Sequence, residues 1–291
     1  MNSEPNIAVL LAAYNGMQWI KEQLILITNQ KDVAVAVFIS VDLSDDGTYE
    51  WAQSVAEKHK NIFLLPYGER FGGAGANFFR LIKEVDFSGY DAVAFADQDD
   101  IWEPNKLAVA YSKLEKGYDA YSSNVMAFWQ DGAEALINKS QKQRKLDYFF
   151  EAAGPGCTYV FKTEAMQKFK QFLVDADSSL NKVSLHDWLA YAYFRENDYQ
   201  WFIDDWPSMR YRQHENNQVG TNNNLSAYKK RFDLIKKKWL RNQIYAIARL
   251  VAPEKAFKLS SRWFLIRNFT QLRRRARDRY FLLLMIIVGL Y

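Results

Sequence analysis

Four apolar runs of strand length, each followed by polar residues, constrain this chain more than any other feature. "IAVLLAAY" (7–14), "VAVAVFISV" (33–41), "IFLL" (62–65) and "YDAVAFA" (90–96) contain almost no charged residues. A strand built from any of them must be covered on both faces. The intervening segments read as helices. Residues 17–29 have helical spacing, and Asp45-Asp46-Gly47-Thr48 opens a helix to about residue 58 with acids at its positive end. "GGAGANFFRLIKEV" is a Gly-rich loop running into a third helix. The alternation predicts an α/β fold with a mostly parallel central sheet and helices on both faces. Ligands of such sheets bind beyond the carboxyl ends of the strands. Tyr14-Asn15, Asp42 and the acidic stretch 97–100 all fall there.

The stretch "FADQDDIWEP" (95–104) sets three aspartates within four positions directly after an apolar run. Like charges crowd unfavourably unless something positive sits among them. Asp97-x-Asp99 after a strand is a hard-oxygen set suited to Mg²⁺ or Mn²⁺, which keeps open positions for phosphate oxygens. The alternative is an Asp-rich turn before a helix, with Asp100 as its N-cap.

Charge divides the chain. Residues 228–291 hold 17 of the 38 basic but 3 of the 34 acidic residues, a net of +14 against −10 for the preceding 227. The polar stretch "ENNQVGTNNNLSA" (215–227) marks the expected boundary between a body, 1–227, and a basic amphipathic helical tail, 228–291. The tail mixes basic and aromatic residues, packs five Arg into 273–279, and ends in an apolar run of 12 residues, 280–291. That run is too short to span a bilayer and suits an interfacial helix on anionic lipid. Packing on the body or in a homodimer is the alternative. No nucleic-acid motif accompanies the basic residues, so no nucleic-acid partner is expected. A single cysteine, Cys157, excludes an internal disulfide and points to a reducing compartment. The first residues lack the basic region of a signal peptide.

The order "VLLAAYNG", "VDLSDDGT", Asn77 after a Gly-rich loop, then "FADQDDIW" resembles the family 2 nucleotide-sugar glycosyltransferases over residues 7 to about 220. "DQDDIW.P.K" followed by "YRQH..N..G" is most similar to the bacterial rhamnosyltransferase-like members. The resemblance implies a GT-A fold and metal-dependent, inverting transfer. The donor would be a dTDP- or UDP-linked sugar, dTDP-L-rhamnose for that subgroup. The acceptor would be a lipid-linked saccharide of surface-polysaccharide synthesis, met at the cytoplasmic face of a bacterial inner membrane. A non-catalytic sugar- or nucleotide-binding scaffold on the same fold is the second reading. It rests on Val41 and His186, which stand where the family has acids.

Carried over by position, Ala13, Tyr14 and Asn15 would touch the nucleobase, with Asp42 accepting from its N–H. Asn77 and Asp97 would complete the donor site, Asp97 on the ribose or base side, and Asp99 would face the metal. Gly154, Gly156 and Cys157 in "GPGCTYVF" resemble the acceptor wall, with Trp102 beside it. Asp187 in "SLHDWLAYAYF" would be the general base. His214 would complete the metal shell or hold diphosphate oxygens, and Arg212 would assist the leaving diphosphate. Strand alternation would put Arg210 and Arg212 on one face.

Overall fold

A computed structural model describes residues 4–214 and 238–291. The expected boundary at 215–227 and the first ten residues of the tail lie outside them. Nine strands form one sheet: β1 (Asn6–Ala13), β2 (Ala34–Val41), β3 (Ile62–Leu64), β4 (Ala92–Asp97), β5 (Ile101–Trp102), β6 (Ala120–Phe128), β7 (Glu134–Ile137), β8 (Val160–Lys162) and β9 (Trp201–Arg212). The helices are α1 (Ile20–Thr28), α2 (Thr48–Ala56), α3 (Ala74–Glu84), α4 (Lys106–Glu115), α5 (Thr163–Asp175), α6 (Asp177–Leu180), α7 (His186–Glu196), α8 (Trp239–Val251), α9 (Pro253–Ser260), α10 (Arg262–Arg267) and α11 (Ala276–Val288).

The sheet runs β3-β2-β1-β4-β8-β6-β9-β5, with β7 beside β6. Its first half is parallel, as the apolar runs require. From β8 onward it is mixed: β8 lies antiparallel to β4 and β6, and β9 parallel to β6. The sheet is therefore less uniformly parallel than the first four runs suggested. Those runs come from the β3-β2-β1-β4 half alone, and β6 and β9 carry polar residues that obscure their strand character.

β1 alternates between two cores. Ala8, Leu10 and Ala12 face Phe78, Phe95 and Trp188, while Ile7, Val9 and Leu11 face Ile20, Val37 and Leu107. The parallel register sets Ala13 beside Val41 and Ala12 beside Asp97. Three strand ends thereby open onto one edge.

The C-terminal helices belong to the first of these cores. Ile244, Ile247, Leu259, Leu265, Leu282 and Ile286 are buried in the cluster that holds Phe78 and Trp188. Each such side chain contributes roughly 1.5–3 kcal/mol on burial. Charge reinforces the join. Arg274 is fully buried and donates to Asp147 Oδ2 (3.3 Å) and to the carbonyls of Ala152 (2.6 Å) and Ala153 (3.2 Å). Its backbone N–H donates to Glu151 Oε1 at 2.6 Å. Asp147 is also held by Arg195 and by the Tyr191 hydroxyl. One residue of the run 273–279 is thus a structural cation.

Replacing one partner of a buried ion pair leaves the other charge uncompensated. We expect Arg274→Ala to lower unfolding stability by about 3–5 kcal/mol in urea denaturation, from that effect. A loss below about 1 kcal/mol, the scale of exposed pairs, would mean that the tail is not joined to the body through this residue.

Candidate active site

The loops after β1 and β2 are laced together. Asn15 adopts a left-handed backbone (φ 44°), which Asn tolerates better than most residues. Its N–H donates to Ser44 Oγ (3.0 Å), and its Oδ1 accepts from the Asp45 N–H (3.1 Å). Gly16 N–H donates to Thr48 Oγ1 (2.8 Å) and Met17 N–H to Asp46 Oδ2 (3.0 Å). The Asn15 side chain therefore fixes the loop, while Tyr14 stands exposed. The buried Asp42 carboxylate accepts the N–H groups of Leu43, Phe71 and Gly72. The Arg80 guanidinium, against Phe71, donates to Pro66 O (2.6 Å) and Ser40 Oγ (3.3 Å). Asp42 and Arg80 together hold the Gly-rich loop across the strand ends.

Asn77 does not face a ligand. At 2% exposure its amide donates to Ser40 O (3.0 Å) and Ala13 O (3.4 Å), tying β1 to β2 from beneath. A residue absent from the sequence expectations does more at this edge. Gln98, the middle residue of Asp97-x-Asp99, accepts the Tyr14 N–H and donates to the Tyr14 carbonyl, both at 2.8 Å. Gly16 packs against it so closely that a Cβ would lie 2.2 Å from Gln98 Oε1. Its signal was its place one residue past the last β4 position paired with β1.

The acidic turn is countered from two sides. Below it, the buried Lys106 donates to the Cys157 carbonyl at 2.6 Å and lies 3.2 Å from the centre of the Trp102 ring. Above it, His214 Nε2 meets Asp99 Oδ2 at 2.6 Å and stacks on Trp19 (4.5 Å between centroids). Arg212 donates from Nε to the Asp99 carbonyl and from Nη2 to Glu22, both at 2.8 Å. Arg210 and Arg212 share a strand face, both lying over Phe128.

Burial, then the charge of Asp99, pushes the Asp97 carboxyl up to about 7, and the same causes raise Asp100. Burial pulls Lys106 down to about 7. Both Asp100 oxygens are enclosed without a hydrogen-bond partner. One oxygen each of Asp97 and Asp100 and the Cys157 sulfur lie within 4.8 Å of one another. Orphaned carboxylate oxygens beside a second carboxylate fit a hard divalent cation. The thiol does not, since burial raises its pKa and sulfur prefers softer metals.

Across the sheet, Asp187 opens α7 and accepts its neighbour Trp188's N–H at 2.7 Å. Burial pushes it up to about 6, with Lys139 pulling the other way. His186 is buried, stacked on Phe78 at 3.9 Å, and drawn by burial down to about 3, so it is neutral. Its Nε2 has no partner. A Cβ on Gly156 would stand 2.7 Å from that nitrogen and 3.0 Å from Asp187 Cβ. The Tyr159 hydroxyl accepts the Gly154 N–H (3.2 Å) and donates to the Gly154 carbonyl (3.1 Å). The expected acceptor contacts of Trp102 and Cys157 are not made in this arrangement. Both side chains are 1% exposed, Trp102 beneath Lys106 and Cys157 against the acidic turn. They support the wall from behind.

A parallel half-sheet ending in laced loops and a carboxylate turn, joined to a mixed half that carries a carboxylate at a helix N-terminus, is the GT-A glycosyltransferase fold. The chain belongs to glycosyl transferase family 2, whose profile matches residues 8–172. It is 43% identical to the dTDP-rhamnosyl transferase RfbG of Shigella flexneri over 97% of this chain and 100% of that one. The fold is shared with S. aureus TarS in complex with UDP-GlcNAc (TM-score 0.60, 15% identity, 92% of this chain and 73% of that one). It is also shared with the Pyrobaculum calidifontis mannosyltransferase PcManGT in complex with GDP-Man and Mn²⁺ (TM-score 0.53, 18% identity, 100% and 82%).

Because Gly156 leaves no space beside His186 and Asp187, Gly156→Ala should displace the helix start. A shift near 1 Å costs on the order of 10²-fold in turnover. We expect that loss of kcat with nucleotide affinity unchanged, read by single-turnover kinetics and nucleotide titration. Near-normal kcat would place the reacting centre elsewhere.

Proposed function

We propose that the chain is a metal-dependent inverting rhamnosyltransferase. It moves L-rhamnose from dTDP-L-rhamnose to a lipid-linked saccharide at the cytoplasmic face of a bacterial inner membrane, in surface-polysaccharide synthesis. The observation that carries the donor is the 43% identity, end to end, to a dTDP-rhamnosyl transferase. Tyr14 and the laced loops take the base, Asp42 keeps a lone pair for its N–H, and Asp97 serves the ribose side. Asp99 and His214, which meet at 2.6 Å beside the enclosed Asp97 and Asp100 carboxylates, would hold Mg²⁺ or Mn²⁺, which when bound would offset charge on the leaving diphosphate. Arg212 acts by fixing the Asp99 carbonyl. Asp187 takes the proton of the acceptor hydroxyl, which attacks the anomeric carbon opposite the diphosphate and inverts it. The backbone around Gly154 and Gly156 faces the acceptor, and Gly156 lets that wall close against His186 and Asp187.

Thymidine-linked rhamnose with Mn²⁺ should turn over, and EDTA should abolish it. Asp187→Asn should lower kcat by about 10²–10⁴-fold, the usual contribution of a general base, with donor affinity retained. A base works only when ionised. Activity should therefore fall as pH drops through about 6, where Asp187 gains its proton. Turnover of another nucleotide sugar in preference, or a flat profile from pH 5 to 8, would overturn the donor or the base.

The membrane part of the proposal rests on α11. Its Leu282, Met285 and Ile286 face the core, while Tyr280, Phe281, Leu284, Ile287 and Val288 are exposed. Phe257 and Trp263 are exposed as well. No helix among the described residues is long and apolar enough to cross a membrane. A large exposed apolar face with cations nearby fits an interface. Phe281→Ser with Leu284→Ser should leave the fold intact and reduce pelleting with phosphatidylglycerol vesicles several-fold. Undiminished pelleting would assign that face to a second copy of the chain or another partner.

A further inference from the structure

We infer that Lys139, Arg273 and Arg275 form a binding site for a phosphate or diphosphate ester carried by the acceptor. The inference rests on the acceptor-side reading of Asp187, Gly154 and Gly156 given above. Six cations gather behind this wall: Lys139, Arg144, Arg195, Arg273, Arg274 and Arg275. Asp147 and Glu151 lie among them, with Asp187 and Asp278 at their edge. The first two are already engaged. Asp147 accepts from Arg195, Arg274 and Tyr191, and Glu151 takes the Arg274 backbone N–H and lies 3.5 Å from its Nη2.

Among the described residues, Lys139, Arg144, Arg273 and Arg275 make no ion pair within 4.0 Å. Arg275 reaches only the Asn138 carbonyl. The Nε atoms of Arg144 and Arg273 are closed off from solvent with no partner. Lys139 is half-buried and feels Arg273, Arg274 and Arg275 as repelling neighbours, with Glu151 opposing them. Arg273 likewise has Glu151 and Asp278 as its nearby carboxylates. Such crowding of half-buried like charge is unfavourable unless an anion joins it.

The cluster faces the acceptor side. Lys139 Cβ and Cγ lie 3.8 Å from where a Gly154 Cβ would stand. Lys139 acts electrostatically on Asp187, and Asp187 acts in turn on Asp97 of the donor side. Two guanidinium groups and an ammonium suit a phosphate ester, which takes the forked donors of Arg and the point charge of Lys.

The test is calorimetry on the full chain, with dTDP and Mn²⁺ occupying the donor site, titrating geranyl diphosphate against geraniol. The diphosphate should bind at least tenfold tighter than the alcohol. Lys139→Gln and Arg275→Gln, each checked for folding by circular dichroism, should each weaken the diphosphate tenfold or more and leave the alcohol alone. Equal affinity for diphosphate and alcohol overturns the proposal without either variant. So does diphosphate binding that both folded variants retain. A third arm uses phosphatidylglycerol vesicles. If the two substitutions abolish vesicle binding while geranyl diphosphate never binds, the cluster is a lipid-headgroup contact and the proposal fails. Binding of dTDP is read in the first injections. Its absence counts against the nucleotide-site reading alone, since the geranyl comparison can be run without it.

Discussion

The position of β1 at the centre of the parallel half-sheet is the constraint on which the site depends. Paired on both edges, β1 sets Ala13 beside Val41 and Ala12 beside Asp97. A one-residue slip would turn every side chain of β1 to the opposite core, and both cores are filled by its alternate residues. The register is therefore fixed by packing, and the loops after β1, β2 and β4 inherit their places from it. Gln98 and Asn77 then lock the arrangement, one from above through the Tyr14 backbone and one from beneath through two carbonyls.

Electrostatics explains why this edge works as a site and not only as a fold junction. Three aspartates leave β4 into a space that burial has partly dried. Lys106 counters them from inside the protein, and Arg212 and His214 approach from the end of β9. Lys106 also grips the Cys157 carbonyl, next to Gly156. The acidic turn and the Gly154–Cys157 turn thus share one buried lysine. A displacement of either is felt by the other through a buried hydrogen bond, which has no water to substitute for it.

The four apolar runs were legible because a strand covered on both faces has no polar positions to confuse its pattern. Asp42, Asp97, Asp99 and Asp187 stood out as candidates because carboxylates at strand or helix ends are conspicuous. What could not be read was direction. Trp102 and Cys157 sit in motif stretches yet point into the core, and Asn77 spends its amide on backbone carbonyls. Gln98 and Lys106 fall within the motif stretches but were given no role, since their roles exist only once β4, α4 and the Cys157 turn are brought together. His186 is a related case. Where an acid was expected, the chain holds a neutral ring stacked on Phe78, and only the close approach of Gly156 reveals that the ring shapes the wall.

The tail shows why net charge is a coarse guide. A value of +14 over residues 228–291 suggested a single electrostatic task. In three dimensions the cations separate by what surrounds them. Arg274 is enclosed with Asp147 and Glu151 and joins the tail to the body. Among the described residues, Arg273 and Arg275 flank it with no carboxylate within 4.0 Å. Arg277 is exposed beside Asp278, where pairing contributes little. Within one run of seven residues, burial alone separates identical side chains into a structural clamp, half-buried cations and a solvated surface. The apolar residues that follow divide in the same way, since helical spacing gives α11 one face for the core and another for the exterior. Packing on the body and docking on a membrane are therefore not competing readings of this segment. The first supplies the rigid support that the second would need.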